Sequence, residues 1–274
     1  MRIRLLRAAG ALTLSGAIGL SLAPAGSAVA AQKNATVTVF HGIPDTPVDV
    51  YADGKKLLSD FKPGSLTDPL QLAAGSYDVK VFPAGTSPSS GKPVIEKQVD
   101  LTAGSNATLT ANLTESGKPA LNAYANDVSR VPGGKSRLTV RHVAAAPAVD
   151  VRADGKALFK GLKNPKEATA EVPAGTVNAD VTLAGTDNVV IGPAKLDLPK
   201  GASTVVYAWG SAKDKNLALK VQSLSTGKTP GAPSAGGSGA AAAATNDDTA
   251  FYTIAAGAAF VALVAGVRLT ARRR

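Results

Sequence analysis

The side chains best suited to chemistry in this sequence come in pairs. Asp49 and Asp53 stand four apart in VDVYADGKK, from Val48 to Lys56, with a glycine directly behind, an acidic spacing of the kind that can ligate a cation. Asp150, Asp154 and Gly155 repeat it in VDVRADGKA, from Val149 to Ala157. A calcium loop needs several more oxygen ligands close by, and the second stretch has no acid where the first has Asp45. The Asp-Gly dipeptides therefore predict tight hairpin turns, in which both residues take positive φ, and no metal site is expected.

The two histidines are paired as well. His41 follows Val37 and Val39, and His142 follows Leu138 and Val140, so each closes a period-two run and turns its ring toward a core. The expectation is a structural imidazole bonded to a loop carbonyl, with ligand contact as the alternative. No Gly-x-Ser-x-Gly, His-Glu-x-x-His or phosphate-binding Gly-x-x-x-x-Gly-Lys occurs, and no nucleophile, base and acid announce themselves as a set. A non-enzymatic protein without a cofactor is expected.

Pairing on this scale comes from an internal repeat. Thr36 to Phe61 aligns with Arg137 to Leu162 at a constant offset of 101 (137 − 36), and the match continues from Ala73 against Pro173 and from Val99 against Leu196. The units run over residues 34–127 and 137–226, joined by a linker at 128–136 that holds Pro132-Gly133-Gly134. Inside each, apolar residues alternate: Tyr77, Val79 and Val81 against Ser76, Asp78 and Lys80; Ala107, Leu109, Ala111 and Leu113 against Thr108, Thr110 and Asn112. Six to eight short half-buried strands per unit predict an all-β chain of two tandem immunoglobulin-like β-sandwich domains.

One difference between the copies suggests a binding surface. Aligning Leu109 with Val206 places Val205, Tyr207 and Trp209 where the first unit has Thr108, Thr110 and Asn112, on the face expected to point outward. Exposed, such an aromatic ladder can stack on sugar rings or anchor a protein partner. The competing reading is that it packs against a neighbouring strand, the linker or the first unit, or that a bulge shifts the register. Val205, Tyr207 and Trp209, with His41 and His142, are the candidate ligand or partner residues.

The ends supply addresses. Arg2, Arg4 and Arg7, an apolar run from Ala8 to Ala23 and Ala28-Val29-Ala30 form a signal peptide over residues 1–30. Residues 227–249 are a Gly/Ala/Pro-rich linker. The uncharged stretch from Ala250 to Val267 gives roughly 27 Å of helix, which Leu269 and a snorkelling Arg268 extend toward a bilayer core, predicting a C-terminal transmembrane helix over 250–269. The basic tail, 270–274, then lies in the cytoplasm with the N-terminal part outside.

This layout disposes of the formal charge of +10. Three arginines belong to the signal and four to the C-terminal span and tail, so 30 − 7 = 23 basic residues face 20 acidic ones, and no nucleic-acid partner is expected. Residues 34–127 carry 7 basic and 10 acidic groups, whereas 137–226 carry 12 and 8; opposite signs can favour docking of the units or contact between molecules, but exposed pairs are individually weak and a solvated surface is the expectation. Absence of cysteine rules out disulfides, thiolate metal sites and lipobox acylation.

TVTVFHGIPDTPVDVYADGK resembles the signature of an exported bacterial family catalogued as domain of unknown function 4397, through His41, Pro44, Asp45, Pro47, Val48, Asp49, Val50, Tyr51, Asp53 and Gly54. The second copy keeps His142, Pro147, Val149, Asp150, Val151, Asp154 and Gly155 but has Arg152 for the tyrosine and lacks the Pro-Asp turn. The resemblance implies a sandwich fold and a surface location, with no established activity or site. The reading is a membrane-anchored cell-surface protein with a structural, adhesive or wall-organising role. The alternative is an extracytoplasmic module that recognises cell-wall glycan or a surface protein through the second repeat. The tail layout is that of a sorting signal without its Leu-Pro-x-Thr-Gly pentapeptide, so membrane retention is expected over covalent wall attachment.

Overall fold

The computed structural model describes residues 34–227, apart from Ser87 and Ser90. The expected signal peptide, the span at 250–269 and the basic tail lie outside the described residues. Among the described residues no helix is long and apolar enough to cross a membrane.

Among the described residues, sixteen strands make up two β-sandwiches. In the first, β1 (Ala35–Gly42), β4 (Leu70–Leu72), β7 (Asn106–Leu113) and β8 (Pro119–Ala125) form one sheet in the order β4-β1-β7-β8. The facing sheet has the order β3-β2-β5-β6, from β2 (Val48–Ala52), β3 (Lys55–Phe61), β5 (Gly75–Pro83) and β6 (Ile95–Leu101). β1 and β7 run parallel and every other pair is antiparallel.

The second sandwich repeats this plan strand for strand. Its sheets are β12-β9-β15-β16 and β11-β10-β13-β14, built from β9 (Lys135–His142), β10 (Val149–Ala153), β11 (Lys156–Leu162), β12 (Glu167–Pro173), β13 (Gly175–Leu183), β14 (Val189–Leu198), β15 (Ser203–Trp209) and β16 (Ala218–Leu224). Again the first and seventh strands, β9 and β15, are parallel.

Period-two alternation fills each core. Val37, Val50, Val79, Val81, Leu109 and Ala111 meet between the sheets of the first sandwich, and Leu138, Val140, Val149, Val151, Val206 and Ala208 between those of the second.

The Asp-Gly dipeptides form the predicted turns. Asp53 and Gly54 have φ of 49° and 75°, Asp154 and Gly155 48° and 74°, the positive pair a two-residue hairpin requires. Each turn aspartate also accepts a backbone N–H across the sheet, Asp53 from Asp78 and Asp154 from Asn178, both at 2.9 Å. A Cβ at Gly54 would meet nothing within 4 Å, so Gly54→Ala isolates the cost of positive φ. About 1 kcal/mol of stability should be lost, read as a lower urea midpoint at unchanged slope.

The other aspartate of each pair has a different task. Both β2–β3 and β10–β11 carry register shifts, and the bulged strand passes through positive φ at Asp60 and at Gly161. Asp49 accepts the Asp60 N–H at 2.9 Å, and Asp150 accepts the Gly161 N–H at 2.7 Å. Asp150 takes a second N–H from Gly185 at 2.9 Å, while buried Asp49 pairs with Lys56 at 2.8 Å. That lysine, then the Asp60 N–H, holds the Asp49 carboxyl below the usual carboxylate range. The VDV aspartates are thus braces for a strand bulge.

Candidate functional site

Strand β15 has the register that the sequence predicts, yet its outer face does not meet solvent. Val206 and Ala208 point into the second core, so Val205, Tyr207 and Trp209 point the other way. There they meet the β4-β1-β7-β8 sheet of the first sandwich. Phe40 of β1 lies 4.7 Å from the Tyr207 ring and 6.0 Å, edge to face, from Trp209. Tyr207 is 0% and Val205 1% exposed, and a Cβ on Gly64 would come within 2.9 Å of the Trp209 ring. Of the two readings of the ladder, an open binding surface and packing against the first unit, the structure shows the second: it is a joint between the two sandwiches.

The same contact corrects the half-buried reading of β7. Thr108, Thr110 and Asn112, the polar side of its alternation, are all 0% exposed. Alternation identifies two unlike faces; a second sheet laid over the polar face buries both.

Arg141 of β9 sits at the middle of the joint with 1% of its side chain exposed. Its guanidinium donates to Glu167 at 2.7 Å, to the Tyr207 hydroxyl at 2.8 Å and to Asn126 Oδ1, from the first unit, at 2.8 Å. It also lies 4.4 Å from the Tyr124 ring centroid and 5.5 Å from that of Tyr207. Tyr207 donates to Gln222 Oε1 at 2.5 Å, which also accepts from Thr108 across the joint at 3.2 Å. Tyr124 donates to the Pro165 carbonyl at 2.7 Å. Burial raises both tyrosine pKa values, keeping the hydroxyls neutral donors.

The linker closes one side of this contact. Val131 is buried, Val128 packs on the aromatic cluster, and Arg137 reaches the carbonyls of Asp127 and Ser129 at 3.3 and 3.1 Å. An Arg137–Asp127 pair at 3.2 Å joins the units, but Asp127 is 58% exposed. The contact between the units is therefore carried chiefly by aromatic packing and hydrogen bonds and little by their opposite net charge. The Trp209 indole nitrogen is buried with no acceptor, a local cost within the joint.

Both histidines are internal. His41 and His142 are 0% and 1% exposed, with Nε2 at 2.8 Å from the Thr46 carbonyl and 2.9 Å from the Pro147 carbonyl. The Ile43 and Ala144 N–H groups approach Nδ1 at 3.4 Å, so both rings carry the proton on Nε2. They pin the loop after the first strand of each sandwich. Burial is the main influence on each ring, lowering its pKa from 6.5, with the loop carbonyl opposing. The unfolded chain thus binds protons that the folded chain refuses. Stability is complete above about pH 6.5 and falls as pH drops through that value toward the folded pKa, by up to about 1.4 kcal/mol per histidine per pH unit. Urea midpoints at pH 7.5 and 5 should show the decline, and His142→Gln should remove about half of it, leaving the His41 share; a flat wild-type profile contradicts the buried neutral rings.

Tyr51 and Arg152 explain the main departure between the copies. Tyr51 stands edge to face with Phe82 at 5.5 Å, whereas Arg152 pairs with Asp180 at 2.6 Å and Asp187 at 3.1 Å. An aromatic contact in the first unit is an ion pair in the second. Among the described residues no group of three or more His, Cys, Asp or Glu is placed to hold a metal ion.

Residues 35–152 match the family described as "Domain of unknown function (DUF4397)". The DUF4397 match spans the first sandwich and stops at Arg152 within β10 of the second. No curated protein matches the chain. Among solved structures, the Bacillus anthracis TIE protein is similar over 64% of this chain and 33% of its own, at 15% identity and a TM-score of 0.21. The chain thus spans about a third of that protein's length.

Proposed function

We propose that the chain is a non-enzymatic protein of the bacterial cell surface. In this reading an N-terminal signal exports it, a C-terminal helix holds it in the membrane, and the low-complexity linker projects a tandem of immunoglobulin-like sandwiches outward. The second sandwich is a further DUF4397 copy, a reading supported by its matching strand order and by His142, Asp150 and Asp154. Its role is structural: adhesion, or organisation of the wall-facing space.

The observation that carries this reading is the joint. Between sandwiches linked by a loose tether, independent motion is the default. Here Arg141, Tyr207 and Phe40 are sealed between two sheets, which favours a pair that moves as one stiff element. Stiffness suits a spacer or display element. The β15 aromatics are engaged in the joint, so recognition through them is not part of the proposal.

Fractionation of cells making the full chain tests it. The protein should be cleaved by protease added to intact cells and should extract with detergent. Recovery inside the cell, or in a covalently wall-linked, detergent-resistant fraction, contradicts the anchored-surface reading.

A further inference from the structure

Where the two sandwiches meet, a cleft of about 580 Å³ lies open to solvent. The turn from Thr114 to Ser116, with Ala120 and Asn122 of β8, forms one wall, and Asn164 with Pro165 of the second sandwich forms the other. The size falls within the roughly 300–1,000 Å³ typical of small-ligand sites. Both walls are needed to make it.

Its polar groups are fixed from behind. Asn164 Nδ2 donates to the Leu113 carbonyl of the first unit at 2.8 Å and the Ala144 carbonyl of the second at 2.6 Å. Asn122 Nδ2 donates to Asn112 Oδ1 at 2.8 Å, and the Pro165 carbonyl is held by the Tyr124 hydroxyl at 2.7 Å. Asn164 has both amide hydrogens engaged and retains Oδ1 as an acceptor, while Asn122, with one amide hydrogen engaged, retains Oδ1 and a second N–H. Glu115 adds a carboxylate on the exposed rim, while the Thr114 and Ser116 hydroxyls bond each other at 3.1 Å. Ala120 and Pro165 provide a small apolar floor.

This arrangement offers acceptors in fixed positions, a few donors in the second Asn122 N–H and one hydroxyl of the Thr114–Ser116 pair, and one negative charge. Its complement is a ligand rich in O–H donors, with C–H faces and no anionic group. We propose that the cleft binds a neutral or amine-bearing saccharide, whose hydroxyls donate to Asn122 Oδ1 and Asn164 Oδ1 and whose amine, where present, faces Glu115. The inference goes beyond the scaffold reading and does not rest on it.

Isothermal titration of the full chain in zwitterionic-detergent micelles tests it, with chitotetraose, its deacetylated counterpart, cellotetraose and tetragalacturonate as probes. Saturable binding of a neutral or amine-bearing probe is expected, with tetragalacturonate weakest. Ala120→Trp, which fills the cleft, should weaken binding by about tenfold or more. Glu115→Arg, on an exposed turn where folding is not at stake, should weaken the amine-bearing probe by about tenfold relative to tetragalacturonate. The proposal is overturned by absence of saturation with every neutral and amine-bearing probe up to about 10 mM. Preference for tetragalacturonate, or unchanged charged-probe selectivity in Glu115→Arg, overturns it too. Binding that survives Ala120→Trp does the same. A negative result here leaves the fractionation outcome, and with it the surface reading, unaffected.

Discussion

Replacing Arg141 with alanine should destabilise the chain by about 3 kcal/mol. Glu167 keeps 37% of its side chain in water, so losing its partner strands no buried charge. The cost arises deeper in the joint. Asn126 Oδ1 and the Tyr207 hydroxyl lose a charged donor where no solvent replaces it, and the faces of Tyr124 and Tyr207 lose a desolvated cation. Arg141→Lys keeps the charge but not the planar fork that reaches three acceptors at once, so it should recover less than half of the loss. Urea denaturation gives the magnitude. Emission from Trp209, the sole tryptophan, gives the location, because its ring packs on Gly64 and Phe40 of the other unit and should shift to the red as the joint loosens. A loss below about 1 kcal/mol would place the joint's strength outside this network.

Tyr207→Ala should cost about 3–5 kcal/mol, the range for removing a fully buried aromatic side chain. The ring is 0% exposed and rests on Phe40, so truncation opens a cavity between two sheets that cannot easily close up. Tyr207→Phe separates packing from polarity. It keeps the ring but removes the donor to Gln222 and the acceptor for Arg141, and about 1–2 kcal/mol should be lost. Since both variants break the same bond, Arg141→Ala and Tyr207→Phe should combine less than additively, with a coupling of about 1 kcal/mol. Strict additivity would show that the two side chains act independently.

The repeat, the strand alternation and the Asp-Gly turns could be read directly because each is local. A residue's neighbours two positions away set which face it occupies, and positive φ at Asp53 and Gly54 is a property of those residue types. The histidines were legible for the same reason: period two in Val37 and Val39 aims His41 inward, and a buried ring requires an acceptor nearby, which the Thr46 carbonyl supplies. The bulge braces were not. Asp49 and Asp53 look equivalent in sequence, and only the unpaired N–H at Asp60, eleven residues on, gives Asp49 its separate role.

By itself, then, the sequence determined two copies of a sandwich and the face of β15 on which Val205, Tyr207 and Trp209 stand. Tertiary structure decided what lies against that face. Alternation records that the two sides of a strand differ, but a threonine or an arginine directed at another sheet has the same spacing as one directed at water. Arg141 reads as an exposed charge until Tyr124, Asn126 and Glu167, which lie outside its strand, are brought around it. The open cleft beside Asn122 and Asn164 has the same origin, for its two walls come from different sandwiches and face each other only because the joint holds them together.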